Sequence, residues 1–437
     1  MTRPLVCLFL FLGIFYAGPA HPQPKVYIDI NAPGFRSFPL AIAEFKNLGL
    51  DQDSLQITKK LAQVLSNDLE MSGLFRLVDP VLFLEDPRKA GLTVKEIDFR
   101  DWSAIGVEGL VKGGIYIRGQ ELKTEFRLFD VFQQTQIVGV RYSGNLEDWR
   151  RMAHKFANEV IARLTGEEGV FDTRIAFVAD VGKAKEIFVA DYDGHNLKGI
   201  TKNGSLNLSP SWDPTGDRIL FTSYISGNPD LYLTSVYGGT PTRVARWDGL
   251  NLGGQWSSAA NRIALTLTKD GNPEIYTMNP DGSGLKRLSN HYGVDVSPVW
   301  SPDGKQLAFV SDRAGSPQIY IMSADSSGVR RLTFQGRYNA SPAWSPRGDK
   351  IAFSGMADGS FNIFIINTDG NGLTRLTQGD ADDLNPSFSP DGRYIMYGSK
   401  RAGKSRLYIV SIFGGNARRI EVPVENAMRP VWSPRLK

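Results

Sequence analysis

The chain has 437 residues, 41% hydrophobic, 22% charged and 11% aromatic, with 50 basic against 46 acidic side chains. This composition is that of an ordered globular protein and excludes intrinsic disorder, collagen-like repeats and multi-span membrane architecture. The near-balanced charge excludes the basic footprint of a nucleic-acid binder, and 45 Gly with 24 Pro call for many short strands joined by turns.

In chain order, Arg3 precedes an apolar run over residues 5–16, followed by the small residues Ala17, Gly18 and Ala20. That is the pattern of a cleaved export signal over residues 1–20. The run is too short for a bilayer span, which needs about 20 apolar residues. Cys7 is the only cysteine and would leave with the signal. Disulfides, thiol catalysis and cysteine–zinc sites are then excluded from the mature chain.

Residues 21–166 read as a small α/β domain. At its start Lys25, Tyr27 and Asp29 alternate with Val26, Ile28 and Ile30. Such a strand could pair permanently with its own domain or with the sheet edge of a partner. A second strand is predicted over 40–43. Ser54 is positioned to cap a helix with Ile57, Leu61, Val64 and Leu69 on one face, stopped at Gly73. Strand 75–78 and a meander over 115–117, 121–131 and 136–142 follow. A second helix carries Trp149, Met152, Phe156, Val160 and Leu164 and ends at Gly166.

Residues 167–437 are periodic. Trp212, Trp256, Trp300, Trp344, Phe388 and Trp432 are spaced 44 residues apart, most within a phrase such as Ser297-Pro298-Val299-Trp300-Ser301-Pro302-Asp303-Gly304. Phe177, Phe221, Leu265, Phe309, Phe353 and Tyr397 keep the same register, as do Phe188, Tyr232, Tyr276, Tyr320, Phe364 and Tyr408. Turn pairs such as Asp281-Gly282 and Asp369-Gly370 separate short strands, four to each unit. Four strands per repeat of this length make a propeller blade, and six blades bury their faces only by closing into a ring. The first repeat, from Arg174, lacks its own Pro-x-Trp strand, whereas the chain ends on Arg429-Pro430-Val431-Trp432-Ser433-Pro434. The predicted fold is therefore an α/β N-terminal domain followed by an all-β six-bladed propeller closed by the C-terminal strand.

With the junction Leu164-Thr165-Gly166-Glu167-Glu168-Gly169-Val170-Phe171-Asp172-Thr173-Arg174-Ile175-Ala176-Phe177, the Ser-Pro-x-Trp-Ser-Pro-Asp-Gly phrases and this domain order, the chain resembles the TolB family. The resemblance covers essentially all of it beyond the signal. It implies a periplasmic, non-enzymatic scaffold of the Tol–Pal system that binds the lipoprotein Pal and the inner-membrane protein TolA. It further implies a role in outer-membrane integrity and in constriction during cell division. The N-terminal stretch 25–30 would engage TolA, either docked on its own protein or swung free. No cofactor is implied.

Motifs for chemistry are weak. Gly398-Ser399-Lys400-Arg401-Ala402-Gly403-Lys404-Ser405 matches a phosphate-binding loop in letters, but a strand pattern follows it where such a loop needs a helix N-terminus. No G-x-S-x-G elbow occurs, and His21, His154, His195 and His291 lie in unrelated contexts. His154 is expected on the polar side of its helix, solvated. Asp191 to Asn196 faintly resembles a calcium loop but lacks the distal glutamate, and reads as a hairpin turn. The positional binding candidates precede each repeat aromatic by five residues: Asn207, Asn251, Asp295, Asn339 and Asp383, with Ala427 at the sixth position. They form either an exposed partner-binding circle at one channel mouth or plain turn chemistry. A periplasmic hydrolase and a small-ligand-binding propeller are the rival functions.

Overall fold

The computed structural model describes residues 28, 36–86, 91–257 and 259–436. The expected export signal and all of stretch 25–30 except Ile28 lie outside these residues. No described helix is long and apolar enough to cross a membrane. The chain divides into two compact units, Met1–Glu167 and Glu168–Lys437.

In the first unit, β1 (Phe38–Ile42), β2 (Lys46–Asn47), β3 (Phe75–Leu77), β4 (Gly109–Arg118), β5 (Glu121–Asp130) and β6 (Thr135–Asn145) form one sheet. Its order is β3-β1-β4-β5-β6, with β2 also on β4. β1 pairs in parallel with β3 and β4, and β4-β5-β6 is an antiparallel meander. β5 matches its predicted range closely, whereas β4 and β6 run longer than predicted, because main-chain pairing continues through residues such as Lys112, Ser143 and Asn145.

Helix α1 (Ile57–Met71) buries Ile57, Leu61, Val64 and Leu69, as its 3.6-residue period requires. Its cap is Asp53 rather than Ser54: the Asp53 carboxylate accepts the N–H groups of Ile57 and Thr58 at 2.7 and 2.9 Å. The short α2 (Phe99–Ala104) carries only Phe99 and Trp102 inward, too few apolar residues to show a period. Helix α3 (Trp149–Thr165) buries Met152, Phe156, Val160 and Leu164 and ends at Gly166, whose φ of 76° suits a glycine. Phe126 lies at the centre of this core, 4.8 Å from the Phe156 ring and 5.1 Å from the Phe45 ring.

One expectation for α3 is corrected. His154 is not solvated: it is buried, and its Nδ1 lies 2.7 Å from the carboxylate of Asp68, itself buried on α1. The buried face of α3 is wider than its large apolar side chains mark, because Arg150, Ala153 and Ala157 are buried as well.

The second unit consists of six four-stranded antiparallel sheets. Five use consecutive strands, with inner strands Asn207–Trp212, Asn251–Ser257, Asp295–Trp300, Asn339–Trp344 and Asp382–Phe388. The sheet of blade one is assembled from Glu425–Trp432, Arg174–Val181, Ala184–Asp191 and Lys198–Gly199. The C-terminal strand is thus its innermost member and closes the ring. The repeat aromatics stack across second and third strands: Phe177 on Phe188 at 6.0 Å, Phe353 on Phe364 at 5.6 Å and Tyr397 on Tyr408 at 5.9 Å. Apolar clusters join neighbouring blades, as where Trp212 and Phe221 pack with Ile187 and Val189.

The phosphate-loop lookalike is a hairpin. Tyr394–Arg401 pairs with Lys404–Ser411, and Ala402 and Gly403 take φ of 46° and 79° at its two-residue turn. In the calcium-loop lookalike, Asp191 accepts the side-chain N–H of Asn196 at 2.6 Å, and its own N–H donates to the His195 carbonyl at 2.8 Å, closing a turn.

Candidate functional site: the propeller channel and its mouth

The six inner strands line the propeller channel, and all carry a bulge at the same repeat position; the C-terminal strand has a second one at Asn426. At the shared position Ser209, Gly253, Ser297, Ser341, Asn385 and Arg429 take φ of 52°, 57°, 56°, 52°, 56° and 51°. Gly and Asn tolerate this left-handed conformation better than other residues do. The ring is stitched around its circumference. Asn385 donates to the Ser341 hydroxyl at 3.0 Å, and Arg429 to the Ser209 hydroxyl at 3.1 Å. The backbone N–H groups of Gly253, Ser297 and Asn385 donate to Thr222, Thr266 and Ser354 of the preceding blade.

Two cavities meet this ring. One of about 680 Å³ is walled by the inner-strand segments that end on the repeat aromatics, including Trp256, Trp300, Trp344 and Trp432. The other, of about 380 Å³, lies at the seam between blades six and one and is lined by Asp180, Lys185, Asp382, Lys400 and Asn426. Asn385 and Arg429 line both.

The predicted circle of Asn207, Asn251, Asp295, Asn339 and Asp383 sits where each inner strand begins, but its side chains are buried, as is Ala427. The expectation of an exposed ring is therefore corrected. Three of these residues are clamps between blades. Asn207 Nδ2 donates to Glu186 at 2.9 Å, Asn339 Nδ2 to Gln318 at 2.8 Å and Asn251 Nδ2 to Asp230 at 3.4 Å. Each acceptor lies at or near the start of the third strand of the preceding blade, 21 residues earlier. Asn251 also folds its own entry loop, donating to the Trp247 carbonyl at 2.8 Å and accepting the Trp247 N–H at 3.0 Å.

The two aspartates differ. Asp295 accepts Arg313 Nη2 at 2.7 Å, yet its Oδ1 is buried without a partner, and so is Oδ1 of Asp383. Burial pushes the Asp383 carboxyl above the usual range, and hydrogen bonding by Ser399 and Thr377 only partly offsets it.

The partner series Glu186, Asp230, Glu274, Gln318, Asn362 and Arg406 was missed in the sequence, although it too recurs every 44 residues. Its members change from acid to amide to cation, so the shared position carries no constant letter. Around Glu186 the network is fully used: Thr201 donates to it at 2.5 Å, and the N–H groups of Asn203 and Gly204 donate at 3.0 and 2.8 Å.

The mouth exposes several large apolar side chains among polar ones such as Lys202, Asp248 and Arg337. Successive strands are antiparallel, so the loops entering the inner strands and the hairpins between second and third strands share one end of the propeller. Leu206, Leu250, Tyr292, Val294, Phe334 and Tyr338 on those loops, with Val181 and Ile225 on the hairpins, are exposed there. Tyr292 is 84% and Phe334 72% accessible. Among the described residues, the opposite end of the propeller exposes only Tyr237, Val329 and Phe413 of this kind.

Comparison with known proteins agrees with this architecture. Residues 161–436 match the TolB β-propeller domain and residues 26–137 the TolB amino-terminal domain. The Tol–Pal system protein TolB of Desulfosudis oleivorans is 39% identical over 208 residues, 48% of either chain. That of Syntrophus aciditrophicus is 40% identical over 218 residues, 49% of this chain and 48% of the other. The chain thus spans about half the length of the curated relatives it matches. The crystal structure of TolB from Acinetobacter baumannii superposes with a TM-score of 0.80 at 28% identity, covering 94% of this chain and all of that one. A chain of the nidogen/laminin complex, at 13% identity and a TM-score of 0.51, shares the propeller fold alone. With both domain types present in the expected order and the ring closed by its last strand, the chain belongs to the TolB family of Tol–Pal system proteins, a family of propeller scaffolds and not of enzymes.

Proposed function

We propose that this protein is a periplasmic adaptor of the Tol–Pal complex, exported by cleavage after residue 20. On this reading the propeller, from residue 167, binds a Pal-type lipoprotein at its channel mouth. The domain over 21–166 engages a TolA-type inner-membrane protein through stretch 25–30. The complex so formed supports outer-membrane integrity and invagination during division. The observation that carries the reading is the concentration of exposed apolar side chains around one end of the propeller. Monomeric surfaces seldom gather such residues except where a partner docks. Asn207, Asn251, Asp295, Asn339 and Asp383 serve this mouth by holding its entry loops in place.

The N-terminal arm of the proposal rests on Ile28. It is buried, and its N–H donates to the Leu164 carbonyl at the end of α3 at 2.9 Å. A short terminal segment contributes modest burial, so a partner can displace it.

The test is capture from detergent-solubilised envelopes by the immobilised mature chain, read by mass spectrometry. The wild type is expected to retain Pal-type and TolA-type proteins. Tyr292→Ser with Phe334→Ser is expected to lose the Pal-type protein at an unchanged melting temperature, and deletion of residues 21–30 to lose only the TolA-type one. Full Pal-type capture by the folded double variant rules out the mouth. Unfolding of the first unit on deletion rules out the displaceable arm.

A further inference from the structure

Five of the six bulge positions on the channel ring hold residues suited to a left-handed backbone; the sixth is Arg429, at φ 51° and followed by Pro430. A long, charged side chain there stands out from its five small counterparts, and non-glycine residues held in the left-handed region gather at binding sites. Arg429 lines both channel cavities.

Its charge is not neutralised by the protein. Among the described residues no carboxylate lines the 680 Å³ cavity, and the other cation there, Arg435, is paired with Glu168 at 3.1 Å. In the smaller cavity Asp180 is taken up by Lys185 and Asn426, and Asp382 accepts the Phe361 N–H. A guanidinium has five N–H donors, and among the described residues the one side-chain hydrogen bond of Arg429 is that to Ser209 Oγ. Burial lowers its pKa.

We propose that the channel binds an organic carboxylate, its two oxygens on the Arg429 fork and its apolar body against the proline and tryptophan walls of the larger cavity. A single carboxylate matches one guanidinium, whereas a dianionic phosphate would face Asp180 and Asp382 across the seam. A cavity of about 680 Å³ falls within the range of small-ligand sites. The carboxylate could belong to a free molecule or to a glutamate on an inserted peptide, and the inference stands apart from the identity of the envelope partners.

The experiment is calorimetric titration of the full mature chain with hexanoate, hexanol, inorganic phosphate and a capped tripeptide carrying Glu or Gln at its centre. Hexanoate or the Glu peptide is expected to bind, and hexanol, phosphate and the Gln peptide are not. The tighter of the two ligands identifies the source. Arg429→Asn, which installs the residue already used at position 385, is expected to keep or raise the melting temperature while weakening carboxylate binding at least about tenfold. Arg429→Lys keeps the charge, loses the fork and is expected to fall between. If Arg429→Asn does not fold, the lysine variant decides, and wild-type affinity there overturns the proposal. So does equal carboxylate affinity in wild type and Arg429→Asn, or no heat from either carboxylate with the wild type up to about 10 mM.

Discussion

The indole N–H of Trp432 donates to the hydroxyl of Thr173 at 2.7 Å, a buried hydrogen bond between residues 259 positions apart. Around it Arg174 N donates to Ser433 Oγ at 3.0 Å, Ser433 N donates to the Arg174 carbonyl at 2.9 Å, and Tyr192 stacks on the Trp432 ring at 6.3 Å. The ring is closed by this lock as well as by strand pairing.

Closure therefore sets the stability of the propeller. Trp432→Ala is expected to cost about 3–5 kcal/mol in urea unfolding, from lost burial and the cavity left behind. Thr173→Val should cost about 1 kcal/mol, since it removes one partner of a buried donor. Deletion of residues 428–437 should exceed both. A truncated chain melting within a degree or two of the full one would refute closure by the last strand.

The inter-blade clamps make the ring at the channel mouth structural. Asn207→Ala leaves Glu186 and Ser223 each short of a partner and is expected to cost about 2–3 kcal/mol. The combined change of Asp295, Asn339 and Asp383 to Ala should lower the urea midpoint clearly, where an exposed ring would leave it unmoved.

Asp383 gives a pH signature of unusual sign. Burial raises its folded-state pKa above the unfolded value, so the folded chain holds the proton more tightly. Its contribution then falls as pH rises from the unfolded to the folded pKa, and the full penalty stands above both. Asp383→Asn should be more stable than wild type at pH 7, by on the order of 1 kcal/mol, with the gain vanishing toward acid. Paired unfolding curves at acid and neutral pH check this.

In the first unit, Asp68 and His154 tie α1 to α3 through a contact that is 2% or less exposed on either side. Removing one member leaves a buried polar group behind, so Asp68→Ala is expected to destabilise by about 3 kcal/mol. Exchange protection of the α1 and α3 amides should fall together.

The repeat of 44 residues was enough to count the blades, place their strands and show that the last strand belongs to the first sheet. This was legible because blade aromatics such as Phe353 and Phe364 pack in one register in every blade, and a local packing rule writes a period into the chain. The helices of the first unit were legible for the same reason: Ile57, Leu61 and Val64 mark one face of α1. Burial of the polar residues was decided only in three dimensions. Asn207 points into a carboxylate network on the preceding blade, and His154 meets Asp68 across 86 residues. A polar side chain looks the same in sequence whether water or a neighbouring element satisfies it, because the partner that makes its burial tolerable is supplied by the tertiary fold.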